Sequence, residues 1–321
     1  MRVLVTGGSG FIGSNLVPFL STRAEICNLD PMPPRNPSGR QYWVEGSILD
    51  RDLLVRVIRD FRPTHVVHLA ARTDLRGQNV DAYVANTTGV YNLIHAIKST
   101  GTVQKTIYTS SRLVFAIGHN PRHLVDYRPS TAYGESKIVG EQIVFDHASE
   151  AGSWSIVRPT SIWGPWFDVP YRDFFDMVAK GRYFKIRGMD PLKTFGYVGN
   201  VVHQLSSILS ASTAETDGKI FWLADYIPLR LSKWADLIAE GLGTPAPRTV
   251  PWTVLSAAAK VGDGLSMVGV ARVPITSFRL NNIVADMVYD TSATEQLVGA
   301  LPYSLESGVA ETVEWYLGHT A

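Results

Sequence analysis

Thr6-Gly7-Gly8-Ser9-Gly10-Phe11-Ile12-Gly13 follows directly on the apolar run Arg2-Val3-Leu4-Val5-Thr6 and opens a helical pattern from about Phe11 to Leu20. Glycines between a strand and a helix permit a tight turn and let the backbone approach a pyrophosphate, whose charge the amides of the helix N-terminus receive. The next run, Ile26-Cys27-Asn28-Leu29-Asp30, completes a β-α-β unit,. The same rhythm continues through His65-Val66-Val67-His68-Leu69, Lys105-Thr106-Ile107-Tyr108-Thr109 and Ser153-Trp154-Ser155-Ile156-Val157-Arg158, with helix-length patterns between them,. The predicted fold is therefore α/β, a Rossmann-type doubly wound parallel sheet with a smaller C-terminal substrate-binding lobe.

Punctuation in the chain sets the expected boundaries. Pro31 to Gly39 reads as an irregular loop after the second strand, and beyond Gly164-Pro165 the alternation breaks down, with further Pro and Gly at Gly188 to Pro191 and Gly241 to Pro251,. Residues 1–165 are expected to form the dinucleotide-binding domain with the catalytic groups. Residues 166–321 are expected to form mainly the substrate lobe, with some segments returning to the core. The 321 residues suffice for one sizeable core and an appended lobe,.

Lys plus Arg total 30 against 29 for Asp plus Glu, a balance that argues against broad attraction to nucleic acid or an anionic membrane,. The single Cys27 cannot form an intrachain disulfide and reads as a small buried residue,. No run approaches the roughly 18 apolar residues of a membrane span, and no signal-peptide layout opens the chain, so a cytoplasmic protein is the expectation. His65 and His68 read as structural histidines, and no His, Cys, Asp or Glu spacing suggests a metal,.

Asp30 ends the second strand about 20 residues beyond the glycine run, where a carboxylate can accept hydrogen bonds from the adenosine ribose hydroxyls,. A 2′-phosphate would meet like charge there, so NAD is favoured over NADP. Arg35 and Arg40 in the following loop weaken that preference if they fold back.

The ordered series of motifs resembles the extended short-chain dehydrogenases/reductases, particularly their nucleotide-sugar epimerase and dehydratase group. It comprises Thr6 to Gly13, His68-Leu69-Ala70-Ala71, Asn86-Thr87-Thr88-Gly89-Val90-Tyr91-Asn92, Thr109-Ser110-Ser111 and Tyr133-Gly134-Glu135-Ser136-Lys137. Arg158 to Pro165 and Phe195-Gly196-Tyr197-Val198-Gly199-Asn200 complete it. The resemblance implies NAD contacts at Gly7, Gly10, Phe11, Ile12, Gly13 and Asp30, with Ser47 and Ile48 near the adenine. It places Leu69, Ala70 and Ala71 along the pyrophosphate, Asn86 behind the active site and Pro159 near the nicotinamide. Ser47 departs from the family's common aspartate. A homodimer joined through helices near residues 81 to 99 and 131 to 150 is also implied.

Tyr133 and Lys137 lie four apart, on one face of a helix, so the ammonium is expected to stabilise the phenolate and lower the tyrosine's pKa,. The resemblance implies that Tyr133 is the proton-transfer residue and that Lys137 holds the nicotinamide ribose. Ser111, with Ser110 as the neighbouring alternative, would hydrogen-bond the reacting oxygen,.

In the related dehydratases an acidic pair follows this serine; here Arg112 and Leu113 follow, and arginine stays charged,. Epimerisation of a nucleoside-diphosphate sugar is accordingly expected, with Ser161, Lys193 and Arg279 as substrate contacts and Lys193 near the diphosphate. A simple dehydrogenase, including a relative of the 3β-hydroxysteroid group, is the competing reading, because Asn200 stands where the epimerase signature commonly carries an acid. A cofactor-sensing protein without turnover is a third. Trp163, Trp166, Phe167 and Tyr171 suit either a pocket lining or core packing,.

Overall fold

The computed structural model describes residues 1–119, 121–168, 171–267 and 276–320. The chain divides into two compact units. The first comprises Met1–Trp166, Gly196–Tyr226 and Asp290–Pro302; the second comprises Phe167–Phe195, Ile227–Tyr289 and Tyr303–Ala321.

In the first unit the apolar runs become β1 (Arg2–Thr6), β2 (Glu25–Asp30), β3 (Trp43–Glu45), β4 (His65–His68), β5 (Lys105–Thr109), β6 (Ser153–Pro159) and β7 (Lys219–Leu223). They form one sheet in the order β7-β6-β5-β4-β1-β2-β3, and every neighbouring pair is parallel. Parallel neighbours require crossover helices: α1 (Phe11–Ser21), α2 (Arg51–Phe61), α3 (Thr88–Thr100) and α4 (Ala132–His147),. The returning segment 196–226 supplies the last strand and the helix Val198–Ser210.

Side chains alternate across the sheet. Leu4, Leu29, Val66, Tyr108 and Ile156 meet Leu54 and Ile58 of α2, Leu93, Ile94 and Ile97 of α3, and Val144 of α4. Their strand neighbours Val3, Val5, Val67, Ile107 and Val157 are equally buried on the other face, where α1 packs against the helix Val198–Ser210,. Two covered faces explain why the strands read as unbroken apolar runs. Successive strands diverge on either side of β1, so the turns after β1 and β4 flank one crevice at the carboxyl ends of the strands,.

Cys27 is buried. Trp163 is core rather than pocket lining, its ring 5.1 Å from that of Tyr197. In the second unit, Phe167 packs edge-on against Phe175 at 5.1 Å, and Phe174 stacks on Trp234 at 4.5 Å.

His68 is fully enclosed, with Nδ1 2.7 Å from Thr6 Oγ1. Burial, seconded by the Lys137 charge, holds its pKa down to about 3. Between pH 6.5 and 3 the unfolded chain therefore binds a proton that the folded chain refuses, and stability falls with acidification through that window. Urea unfolding of wild type and His68→Asn at pH 7 and pH 5 checks this: wild type should lose about 2 kcal/mol more than the variant between the two pH values. Equal losses would remove His68 as the source.

Candidate active site

The crevice begins at the glycine turn. Gly7 adopts φ +74°, and a Cβ there would run into the backbone of Leu69 and Ala70 after β4. A Cβ on Gly13 would strike Gly8, which lets the start of α1 close on the turn. Gly10 opens α1 with no side-chain cap, leaving that helix end to an anionic ligand,.

Asp30 is buried at the end of β2, where its carboxylate accepts hydrogen bonds from Ser9 N (3.1 Å) and Met32 N (2.9 Å). Burial raises its pKa, opposed by those two amides and by the charge of Arg35. The Arg35 guanidinium donates to the Trp166 carbonyl at 3.2 Å. A carboxylate fixed by the glycine turn itself and two strands from β4 fits the ribose end of a dinucleotide.

The remaining predicted contacts fall in different settings. Ser47 Oγ accepts from Leu49 N at 3.1 Å, and Ile48 is core, packed against Gly89. Asn86 is buried and fully engaged: it exchanges hydrogen bonds with both backbone groups of Arg72 and donates to Ser136 Oγ at 2.9 Å. It thereby ties the chain after Ala71 to α4. Pro159 ends β6 beside Leu223. The hydroxyls of Thr109, Ser110 and Ser161 are buried without a hydrogen-bond partner among the described residues, an arrangement that costs free energy unless a ligand meets them,.

Helix α4 starts with Thr131, whose Oγ1 accepts from Gly134 N at 3.0 Å. This cap places Tyr133 in the first turn and aligns Tyr133, Lys137 and Glu141 on the buried face at four-residue spacing,. Gly134 admits the Leu113 carbonyl and Gly140 the Asn86 carbonyl, so backbone presses on α4 from two sides. The Ser111 hydroxyl acts on the Tyr133 phenol in favour of its phenolate, and Ser111 Oγ accepts from Leu113 N at 3.1 Å. Lys137 Nζ donates to Thr109 O at 2.9 Å and lies 6.0 Å from the Tyr133 ring centroid.

The electrostatics correct the expectation from spacing alone. Tyr133 is pushed up to about 12 by burial, against the Ser111 hydrogen bond and the Arg112 charge, while Tyr83 adds to the rise. Lys137 is not what opposes the rise, because its ammonium is directed at the Thr109 carbonyl; burial lowers its own pKa to about 8, offset in part by Glu141. Arg112, in sequence only an argument against dehydration, is the cation that favours the phenolate.

Sequence reasoning missed the pair beneath this helix. Arg158 donates to both carboxylate oxygens of Glu141 (Nε 2.8 Å, Nη2 2.5 Å) and through Nη1 to Leu124 O at 2.7 Å, and Tyr127 also donates to Glu141. The rings of Phe115, Tyr127 and Trp222 surround the guanidinium at 5.3, 5.6 and 5.8 Å. The four-residue repeat from Tyr133 through Lys137 was the signal that Glu141 shares their face.

In the second unit Lys193 departs from its expected role. It is buried, and its ammonium donates to the carbonyls of Asn282 (3.0 Å) and Ala285 at the end of the helix Ser277–Val284. Its charge therefore serves a helix C-terminus, where a cation is stabilising, and a diphosphate would have to draw it away. Arg279 lies on that helix, with its side chain outside the described residues. Asn200, back in the first unit, donates to Asp225 at 2.7 Å; burial raises Asp225 to about 6, against the Asn200 and Tyr197 hydrogen bonds. An acid thus stands beside the position where the sequence lacks one. Among the described residues no group of three or more His, Cys, Asp or Glu could hold a metal.

A doubly wound sheet with a glycine turn, an acidic β2 end and a buried Ser-Tyr-Lys cluster defines a dinucleotide-dependent enzyme acting on a hydroxyl-bearing carbon. The profile described as the NAD dependent epimerase/dehydratase family matches residues 3–224, and the chain belongs to that family, whose cofactor is NAD. The chain is 30% identical over 267 residues to the 3 beta-hydroxysteroid dehydrogenase/Delta 5-->4-isomerase of Mycobacterium tuberculosis, covering 77% of this chain and 71% of the relative. It is 24% identical over 324 residues to the N-acetyl-alpha-D-glucosaminyl-diphospho-ditrans,octacis-undecaprenol 4-epimerase of Escherichia coli O157:H7, covering 99% and 96%. The UDP-glucose 4-epimerase of Thermotoga maritima, solved with UDP-glucose, shares the fold with a TM-score of 0.76 at 21% identity, and all of both chains is covered.

Two outcomes follow from this geometry. If Asp30 accepts from the ribose, Asp30→Ala removes that acceptor and the like-charge barrier together; fluorescence titration should then show NADH binding weakened about tenfold and the NADH-over-NADPH preference narrowed, as for loss of a charge-assisted hydrogen bond. An unchanged preference would take Asp30 out of cofactor selection. Glu141→Ala, leaving Arg158 buried and uncompensated, should cost about 3–5 kcal/mol in urea unfolding. Glu150→Ala, which breaks the half-exposed Lys98 pair, should cost far less, because solvent screens that pair,. Comparable losses for the two would show that burial does not set the value of these pairs.

Proposed function

We propose that this chain is an NAD-dependent epimerase of a sugar carried on a nucleoside diphosphate. The observation that carries the reading is the buried cluster of Ser111, Tyr133 and Lys137, with Lys137 Nζ 6.0 Å from the Tyr133 ring centroid and with Arg112 and Leu113, rather than an acidic pair, following Ser111 in the chain. Full-length similarity to a 4-epimerase acting on a diphospho-linked sugar supports it.

The substrate hydroxyl would dock between Ser111 and Tyr133 and give its O–H proton to the Tyr133 phenolate; NAD, held by the glycine turn and Asp30, would supply reversible hydride acceptance at the same carbon. With the ketone turned over, reduction at the other face of its carbon would be completed by Tyr133 giving the proton back to the carbonyl oxygen. Tyr133, held near 12, is a phenol at neutral pH and so is ready to donate in the reduction half,. Arg112 favours the phenolate that the oxidation half requires. Lys137, protonated below about 8, presents a cation to the ribose; deprotonation above that value removes it. Ser161 is the substrate contact in the first unit that its unpartnered hydroxyl supports. A homodimer belongs to the reading, because Tyr91 on α3 and Val139 on α4 are exposed apolar groups.

The dehydrogenase of a hydroxylated apolar substrate is the second reading, favoured by the 30% identical steroid relative. Product analysis separates them. A panel of nucleotide sugars should yield an isomer without net NADH, whereas accumulation of NADH and ketone would establish the dehydrogenase. Tyr133→Phe removes only the hydroxyl and should lower turnover by about two to four powers of ten while NADH still binds. A fully active variant would remove Tyr133 from the chemistry.

A further inference from the structure

Tyr83 belongs to the short helical turn Val80–Asn86, which packs against α4 in the first unit. It is fully buried, and the proton transfer at Tyr133 does not use it. Its ring lies 5.9 Å from the ring of Tyr133, tilted by 60°, within the range in which aromatic pairs attract,. Its hydroxyl donates to Asp74 O at 2.8 Å and accepts from Gly77 N at 3.1 Å. One side chain therefore meets the proton-transfer residue at its ring and the segment after β4 at its oxygen.

That segment is wrapped around the same tyrosine. The Arg72 guanidinium stands 5.1 Å from the Tyr83 centroid, donates to Ala82 O at 2.7 Å and pairs with Asp74 at 2.7 Å. The Asp74 carboxylate also accepts from Arg76 N at 3.0 Å. A Cβ on Gly77 would run into the Tyr83 ring and hydroxyl, so glycine there lets the loop close on the tyrosine. Asn86 bonds both backbone groups of Arg72 and fixes the loop's beginning. Thr73, Asp74, Leu75 and Arg76 are exposed, and they follow β4 at the carboxyl ends of the strands, where the crevice lies,. The half-exposed Arg72–Asp74 pair contributes little by itself,. The buried Tyr83 is the loop's inner anchor.

We propose that Tyr83 is a positioning residue for the reaction at Tyr133: its ring sets the Tyr133 ring, and its hydroxyl holds the loop Arg72–Gly77 as a wall of the crevice against which substrate lies. The role rests on proton transfer by Tyr133 and is the same for a sugar or a steroid substrate. Turnover is measured with NAD and UDP-glucose, or with a 3β-hydroxysteroid if that is what wild type converts. Tyr83→Phe keeps the ring and loses the hydroxyl; KM should rise about tenfold, as for a lost hydrogen bond, with kcat unchanged. Tyr83→Leu removes the ring as well; kcat should fall about tenfold to a hundredfold, the cost of a misplaced reacting group, with NADH affinity unchanged. Wild-type kcat in Tyr83→Leu, or an equal loss of kcat in both variants, would overturn the proposal. Should Tyr83→Leu not fold, Gly77→Ala sets a methyl group against the same ring and must lower kcat; an unchanged kcat there overturns it too. Trypsin cleavage after Arg76 needs no substrate and should be about tenfold faster in Tyr83→Phe than in wild type, as release of one hydrogen bond dictates. An unchanged cleavage rate removes the hold on the loop even if neither probe is converted. Tyr133→Phe run alongside keeps the two roles apart: full activity there takes Tyr133 out of the chemistry, whereas an inactive Tyr133→Phe beside an unaffected Tyr83→Leu takes out Tyr83 alone.

Discussion

The bidentate pair between Arg158 and Glu141 is the constraint on which the active-site geometry depends. Both side chains are essentially without solvent exposure. The guanidinium's third bond goes to Leu124 O, and the carboxylate's extra donor is Tyr127, so one ion pair ties β6 to α4 and to the long connection between β5 and α4. That connection carries Ser111 near its start and ends at the Thr131 cap. The serine and tyrosine of the site are thus held from both ends by a pair that touches neither. Enclosure by three aromatic rings strengthens the attraction and makes loss of one partner severe,.

Withdrawal from water is the second theme, and it acts on Tyr133, Lys137, His68 and Asp30 around the crevice. Burial moves Tyr133 up, Lys137 and His68 down, and Asp30 up. In each case the first cause is desolvation of the charged form, with neighbouring charges and hydrogen bonds as corrections. The site is consequently neutral-leaning before ligands enter, with the proton on Tyr133 and Lys137 close to release. A cluster tuned this way keeps the Tyr133 hydroxyl protonated at neutral pH, with the Arg112 charge favouring the phenolate.

Much of this was legible in the chain. A glycine run between an apolar run and a helix has one favourable outcome, because only glycine admits the approach of Leu69 and Ala70 at Gly7, whose φ of +74° also favours it,. Runs without polar alternation required a sheet covered on both faces. Tyr133 and Lys137 shared a helix face by arithmetic. What misled was the step from shared face to mutual effect: four-residue spacing puts two side chains side by side, yet the 6.0 Å between Nζ and the ring, and the bond to Thr109 O, depend on β5.

The sequence by itself determined the local and periodic features: the order of strands and helices, the glycine turn, the acidic end of β2 and the residue types of the site. These follow from backbone sterics and side-chain alternation within a few residues, which the chain writes explicitly. Tertiary structure alone decided which polar groups meet across the fold. It gave Glu141 to Arg158, spent Lys193 on the end of the helix Ser277–Val284, and set Asp225 beside Asn200. It also returned the segments 196–226 and 290–302 to the first unit. A buried charge takes whatever partner packing brings within hydrogen-bond reach, and residues from 17 to 89 positions apart meet only when the sheet has been assembled and its faces covered.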